Sequence, residues 1–205
     1  MAGGVNPGAA PGRRKIRLWD PLLRGFHWLL AFFVIAAWLL GQFGPNQMTL
    51  HFWCGYIVAG LLVFRLIWGF AGPAPARFAH FLRGPGTTAA YMRQIFLREP
   101  SYWPGHNPLG ALSVIAMLAV LAAQVTTGLI SDPDDFINVG PLASSVSRQT
   151  ASAAVGWHHT GAMIVLILVL LHVAVILFYR FWKHEDLVGP MIHGQKEVRD
   201  EITKP

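Results

Sequence analysis

The chain has 205 residues, of which 54% are hydrophobic and only 13% charged; a soluble domain carries about twice that charged fraction, so a water-soluble globular fold is excluded. The formal charge of +6 is spread over the flanks of apolar runs and not over a folded basic face, so it does not argue for nucleic-acid binding. The single cysteine, Cys54, excludes an internal disulfide and a CxxCH covalent haem attachment.

In chain order, residues 1–12 (MAGGVNPGAAPG) are expected to be disordered. Residues 16–21 are expected at a membrane interface, with Trp19 at headgroup level. Four apolar runs follow, at 22–40, 52–70, 109–130 and 157–179. Each is near the roughly 20 residues that a spanning helix needs, and none shows the polar stripe of a soluble amphipathic helix. The first run is too long for the apolar core of a cleavable signal peptide, and none is expected. Gly44, Pro45 and Asn46 predict a tight turn. The connection 71–106 is Gly/Pro-punctuated with a helical middle near 87–97. Asn107 and Pro108 predict a helix start, cap and first position respectively. A polar loop is expected at 131–156. The organisation expected is a tail at 1–14, one four-helix unit at 15–194 and a polar tail at 195–205.

Basic residues cluster before the first run (Arg13, Arg14, Lys15, Arg17, Arg24), between the second and third (Arg77, Arg83, Arg93, Arg98) and after the fourth (Arg180, Lys183, Lys196, Arg199, Lys204). The segment 41–50 has no charge, and 131–156 sets only Arg148 against Asp132, Asp134 and Asp135. The positive-inside rule then puts both termini in the cytoplasm. The fold class expected is an all-α, four-transmembrane-helix bundle, multi-pass in lipid with both termini cytoplasmic.

The fourth run carries His158 and His172. At 100° and 1.5 Å per residue, 14 residues return to within about 40° of one face and separate the two imidazoles by roughly 21 Å. His159 fits that face less well, though it stays open as an alternative to its neighbour. The second run repeats the 14-residue spacing with His51 and Arg65, and the first carries His27 with Arg24 three residues earlier. Given the alternating helix directions, His51 is expected level with His158, and His27 level with His172. A titratable group inside a membrane helix is a functional candidate by default. Two imidazole pairs at two depths are what two bis-histidine haems require. Zinc is disfavoured, since each level has two imidazoles and no thiolate or carboxylate nearby. Gly55, Gly161 and Ala31 lie on the ligands' faces and would leave room for a flat macrocycle. Arg65 could snorkel to the headgroups, but its depth also suits pairing with haem propionates, as does that of Arg24. His80, His106, His184 and His193 read as solvated or capping residues in the flanks.

The motifs WDPLLRGFHWLL (19–30), HFWCGYIVAGLLVFRLIWGF (51–70), GHNPLGALSV (105–114), TGLISDPDDFINVGPLA (127–143), the paired histidines at 158 and 172, and EDLVGPMIHG (185–194) together resemble the bacterial cytochrome b561 family. That family includes the b-type cytochrome subunits of nickel–iron hydrogenases. The resemblance covers about residues 15–194 and involves loops as well as apolar runs. It implies four helices, two non-covalent haem b groups with His27, His51, His158 and His172 as axial ligands, and electron exchange with quinone or a redox partner. The function expected is electron transfer between a periplasmic redox protein, such as a cytochrome c or a dehydrogenase or hydrogenase subunit, and the membrane quinone pool. The alternatives are a stand-alone superoxide:quinone oxidoreductase, as some members of that family are, and a non-haem membrane anchor or transporter. The acidic outer loop disfavours an anionic substrate and favours a basic protein partner.

Overall fold

The computed structural model describes residues 13–44, 47–101, 103 and 105–199. The tail at 1–12 and the Pro45–Asn46 part of the expected turn lie outside the described residues. Four long helices form the body: α1 (Pro21–Phe43), α2 (Met48–Ala71), α5 (Pro108–Ile130) and α6 (Arg148–Phe181). All four are long and apolar enough to cross a membrane. Their outward faces carry bare apolar side chains such as Phe32, Val63, Ile167 and Leu170, as a lipid-facing surface requires. α1 packs on α2 and α5 on α6, and α2 joins the two pairs through α5.

The helix starts follow local chemistry. Asp20 accepts from the Leu23 amide at 3.0 Å with Pro21 in the first turn, and Asn107 accepts from the Gly110 amide at 2.8 Å ahead of Pro108. These are side-chain caps followed by proline at the position that needs no amide. The Asn107–Pro108 start falls where the sequence predicts it.

The fourth helix departs from expectation. It begins at Arg148 instead of 157, under a Ser147 cap that accepts from the Thr150 amide at 3.1 Å. Its first turns, RQTASAAVG, are small and polar, so hydropathy hides them, yet Ala151 and Ala154 are buried. The 34 residues span about 51 Å, well over a hydrocarbon core of about 30 Å, so one end of α6 projects beyond it. The loop before it is correspondingly shorter than expected.

Short elements complete the end of the bundle that carries both termini: α3 (Phe78–Phe81), α4 (Pro85–Arg93) and α7 (Val188–His193). The expected helical middle at 87–97 is shifted, because Pro85 opens α4 early. The carbonyls just past its end are taken elsewhere: Lys183 Nζ donates to those of Ile95 (3.3 Å) and Leu97 (2.8 Å), and Trp182 Nε1 to that of Phe96 (3.0 Å).

A two-stranded ribbon was not foreseen. β1 (Arg13–Arg17) pairs antiparallel with β2 (Gln195–Arg199), Lys15 opposite Glu197 and Ile16 opposite Lys196. The Leu18 and Trp19 amides extend the pairing to the Gly194 carbonyl at 2.8 and 3.2 Å. Gly194 closes α7 at φ 83°, and a Cβ there would meet the Trp19 carbonyl oxygen at 2.8 Å, so only glycine suits the position. Trp19 is therefore not an interfacial residue. It is 6% exposed, in a core with Leu18, Leu23, Phe26 and Ala76.

Candidate functional site

The structure brings the four deep histidines together in two pairs. At the end of the bundle bearing the termini, His27 of α1 and His172 of α6 lie with ring centroids 6.4 Å apart. At the far end, His51 of α2 and His158 of α6 lie 6.0 Å apart. The alternating helix directions and the 14-residue spacing in α6 produce this arrangement. His159 is exposed and borders the same cavity, but the ring paired with His51 is that of His158. Among the described residues no three His, Cys, Asp or Glu side chains converge on a metal position, so each level offers a pair of imidazoles.

The far pair is held from behind. His51 Nδ1 donates to the Ala37 carbonyl at 2.8 Å, and His158 Nδ1 to the Gln124 carbonyl at 2.9 Å. A backbone acceptor on Nδ1 fixes the tautomer and leaves Nε2 as the free electron pair. Glycines allow the close approach: a Cβ on Gly41 would sit 3.2 Å from His51 Cε1, and one on Gly128 2.9 Å from His158 Cε1. At Gly55 a Cβ would meet nothing within 4 Å, which leaves open space on the ligand-side face. A cavity of ≈ 290 Å³ borders both rings, lined by Val58, Leu121, Val125 and Val165 among others. Gln124 also sets its side-chain Nε2 3.2 Å from His158 Nε2. A lone amide in an apolar span was the available signal.

Near the termini, His27 Nδ1 is buried without a partner. Arg65 is 3% exposed, with its guanidinium 4.5 Å from the Phe78 ring centre and 6.0 Å from that of Phe81, and its Nη1 has no partner. It does not snorkel; α3 covers it. Arg24 instead reaches the Ile192 carbonyl through Nη1, tying α1 to α7, with its Nε buried and unpartnered.

His106 is a correction. It is no solvated flank residue: its ring packs 4.8 Å from that of Trp19 and 4.9 Å from that of Phe81, and its Nδ1 is buried without a partner. Burial, and behind it the positive charge of Arg65 and Lys196, pushes it down to about 3, so the ring is neutral at ordinary pH. His80, His184 and His193 are exposed, as expected.

The acidic loop folds on itself. Asp134 pairs with Arg148 at 3.0 Å, Asp132 accepts from the Asp134 amide, and Asp135 accepts from the Ile137 and Asn138 amides and the Asn138 side chain. Hydrogen bonds from the Asn138 amide and side chain hold Asp135 below the usual carboxylate range. All the same, Asp134 and Asp135 remain exposed.

These features fit haem. A metal–imidazole bond is about 2.0 Å and the ring centre lies roughly 1.1 Å behind the nitrogen, so two imidazoles on opposite sides of one metal have centres about 6.2 Å apart. The observed 6.0 and 6.4 Å bracket that value. The unpartnered cation at Arg65 suits an anionic substituent. A four-span bundle with imidazoles paired across its helices defines a b-type membrane cytochrome. The chain belongs to the prokaryotic cytochrome b561 family, whose model matches residues 18–194. Among curated proteins it is similar to the probable Ni/Fe-hydrogenase B-type cytochrome subunits of Rhizobium leguminosarum bv. viciae (22% identical over 92% of this chain and 91% of that one) and of Azotobacter vinelandii (24% identical over 93% and 94%). No solved structure matches it significantly.

Proposed function

We propose that this protein is a two-haem electron-transfer cytochrome of the bacterial inner membrane, with both termini in the cytoplasm. His27 and His172 are the axial ligands of the inner haem b, and His51 and His158 those of the outer one. The observation that carries this reading is the pair of imidazole pairs, 14 residues apart on one face of α6. The haems supply one-electron chemistry when bound. The chain's own contribution is to hold the rings, keep water away with apolar walls, and place charge near each centre. The relatives' names support a hydrogenase as a redox partner; on our reading it docks at the outer, periplasmic end and the membrane quinone pool is the other electron partner. The exposed Asp134 and Asp135 are then available to a basic rim on that donor.

The test is a haem count with a reduced-minus-oxidised spectrum on the purified chain. Two extractable, low-spin b-type haems per chain are expected. One haem, none, or a covalently retained haem overturns the assignment.

Arg65 is proposed to pair with a propionate of the inner haem. Arg24, with one nitrogen already committed to the Ile192 carbonyl, contributes at most its Nε side. Reduction removes positive charge from the field of a nearby cation, so that cation favours the ferrous state. Arg65→Leu is therefore expected to lower the midpoint potential of the inner haem and leave the outer one unchanged, as read by spectroelectrochemical titration. An unmoved inner potential removes Arg65 from the site.

A further inference from the structure

His106 and Arg65 share a problem that the bundle alone does not solve. Arg65 is a nearly completely buried guanidinium with an unpartnered Nη1. His106 is a ring with an enclosed, unpartnered Nδ1. Phe81 touches both: its ring centre lies 4.9 Å from that of His106 and 6.0 Å from the Arg65 guanidinium carbon. The imidazole also lies within charge range of Arg65, His27 and His172. A buried donor without an acceptor is expensive, and a buried charge more so. Asp20 is the one acid whose charge reaches Arg65, and its two oxygens already accept from the Leu23 amide and from Trp68 Nε1. Two buried groups with unpartnered nitrogens therefore flank Phe81 near the His27–His172 pair, with no acceptor for them among the described residues.

We infer that His106 and Arg65 form one buried anion pocket that receives a propionate carboxylate of the inner haem, His106 giving a neutral N–H and Arg65 the charge. This rests on the two-haem reading above and adds a positioning residue to it. The tilted packing of His106 against Trp19 and Phe81 holds the ring in place, and the ribbon fastened to Trp19 closes over it. An N–H shared with the carboxylate disperses its negative charge; without it, more of that charge bears on the iron and favours the ferric state.

The experiment is a spectroelectrochemical titration of the full-length haem-loaded chain. His106→Phe keeps an aromatic ring in the stack and removes the donor, whereas His106→Gln keeps an N–H. His106→Phe is expected to shift the inner haem's reduced-to-oxidised ratio about tenfold toward oxidised, about 59 mV for one electron, with the outer haem unmoved. His106→Gln is expected to recover most of that shift. With Arg65→Leu added, the combined shift is expected to differ from the sum of the single ones, because both donors serve one carboxylate. If His106→Phe loses the inner haem altogether, its retention in His106→Gln supports the pocket, and its loss in both overturns it. Additive shifts, equal shifts in both haems, or a Gln variant that behaves as the Phe variant also overturn the pocket. All of these outcomes leave two haems in the unmodified chain; failure of the two-haem reading shows instead as a wrong count there.

Discussion

Replacing His158 with alanine is expected to remove one of the two haems and leave the other spectroscopically intact. The residue keeps its electron pair on Nε2 because its Nδ1 donates to the Gln124 carbonyl, and alanine removes that ligand. His51→Ala is expected to do the same from the opposite side of the pair. The other site lies 14 residues along α6, about 21 Å by helix rise, and uses ligands from different positions, so it stays loaded. His27→Ala and His172→Ala are expected to give the reverse pattern. A haem assay with low-temperature difference spectra separates the four variants into two groups. His159→Ala is expected in neither group, since that side chain is exposed and the ring paired with His51 is that of His158. Loss of the outer haem in His159→Ala with retention in His158→Ala sinks the pairing.

Lys196→Met is expected to loosen the end of the molecule that carries the termini by about 3–5 kcal/mol, the usual result of breaking a buried ion pair by removing one partner. Lys196 Nζ lies 2.9 Å from Glu185 Oε1, with both side chains under a tenth exposed. The other carboxylate oxygen accepts from the Ser101 amide at 2.8 Å and its hydroxyl at 2.7 Å. Burial by itself pushes the Glu185 carboxyl up, but Lys196 and Ser101 together outweigh it and hold the group below its ordinary value. A carboxyl lowered in the folded state stabilises above its unfolded pKa, and that stability is lost as pH falls through the folded pKa. The unmodified protein should therefore keep this junction through mildly acidic pH, and Lys196→Met should release it at a higher pH. Amide hydrogen exchange in β1 and β2, followed against pH, reads this directly. Unchanged exchange in Lys196→Met refutes it. The double variant Lys196→Met/Glu185→Gln should recover much of the loss, because no charge is then left buried.

Much of this is legible in the amino-acid sequence itself. Four spans are readable because lipid demands length and hydropathy together, and those are local properties. The pairing of His27 with His172 and His51 with His158 is readable because a helix converts spacing into depth and face. What escaped has a physical reason in each case. RRKIR and QKEVR carry no strand-like apolar alternation; they pair only because Leu18, Trp19 and Gly194 fasten their ends. RQTASAAVG reads as loop, since small polar residues lack hydropathy, although its alanines pack well in a helix. His106 sits in a flank that looks solvated and Trp19 in one that looks interfacial, and only the packing of α3 and the 105–107 turn against them buries both rings. Arg65 was visible as a deep cation; that its buried Nη1 has no partner among the described residues was not.

The ribbon between β1 and β2 also dictates a sequence of events during synthesis. Its strands are the first and last described elements of the chain, so it cannot form until translation has passed Arg199, by which time all four spans are made. Closing so long a loop from an extended chain carries an entropy that rises by about 0.6 kcal/mol for each doubling of its length. Spans that are already packed bring the two ends near each other and remove most of that penalty. The cage around Trp19 and His106 is thus the last part of the molecule to be completed. The His51–His158 end needs neither strand, so its packing does not wait for the ribbon.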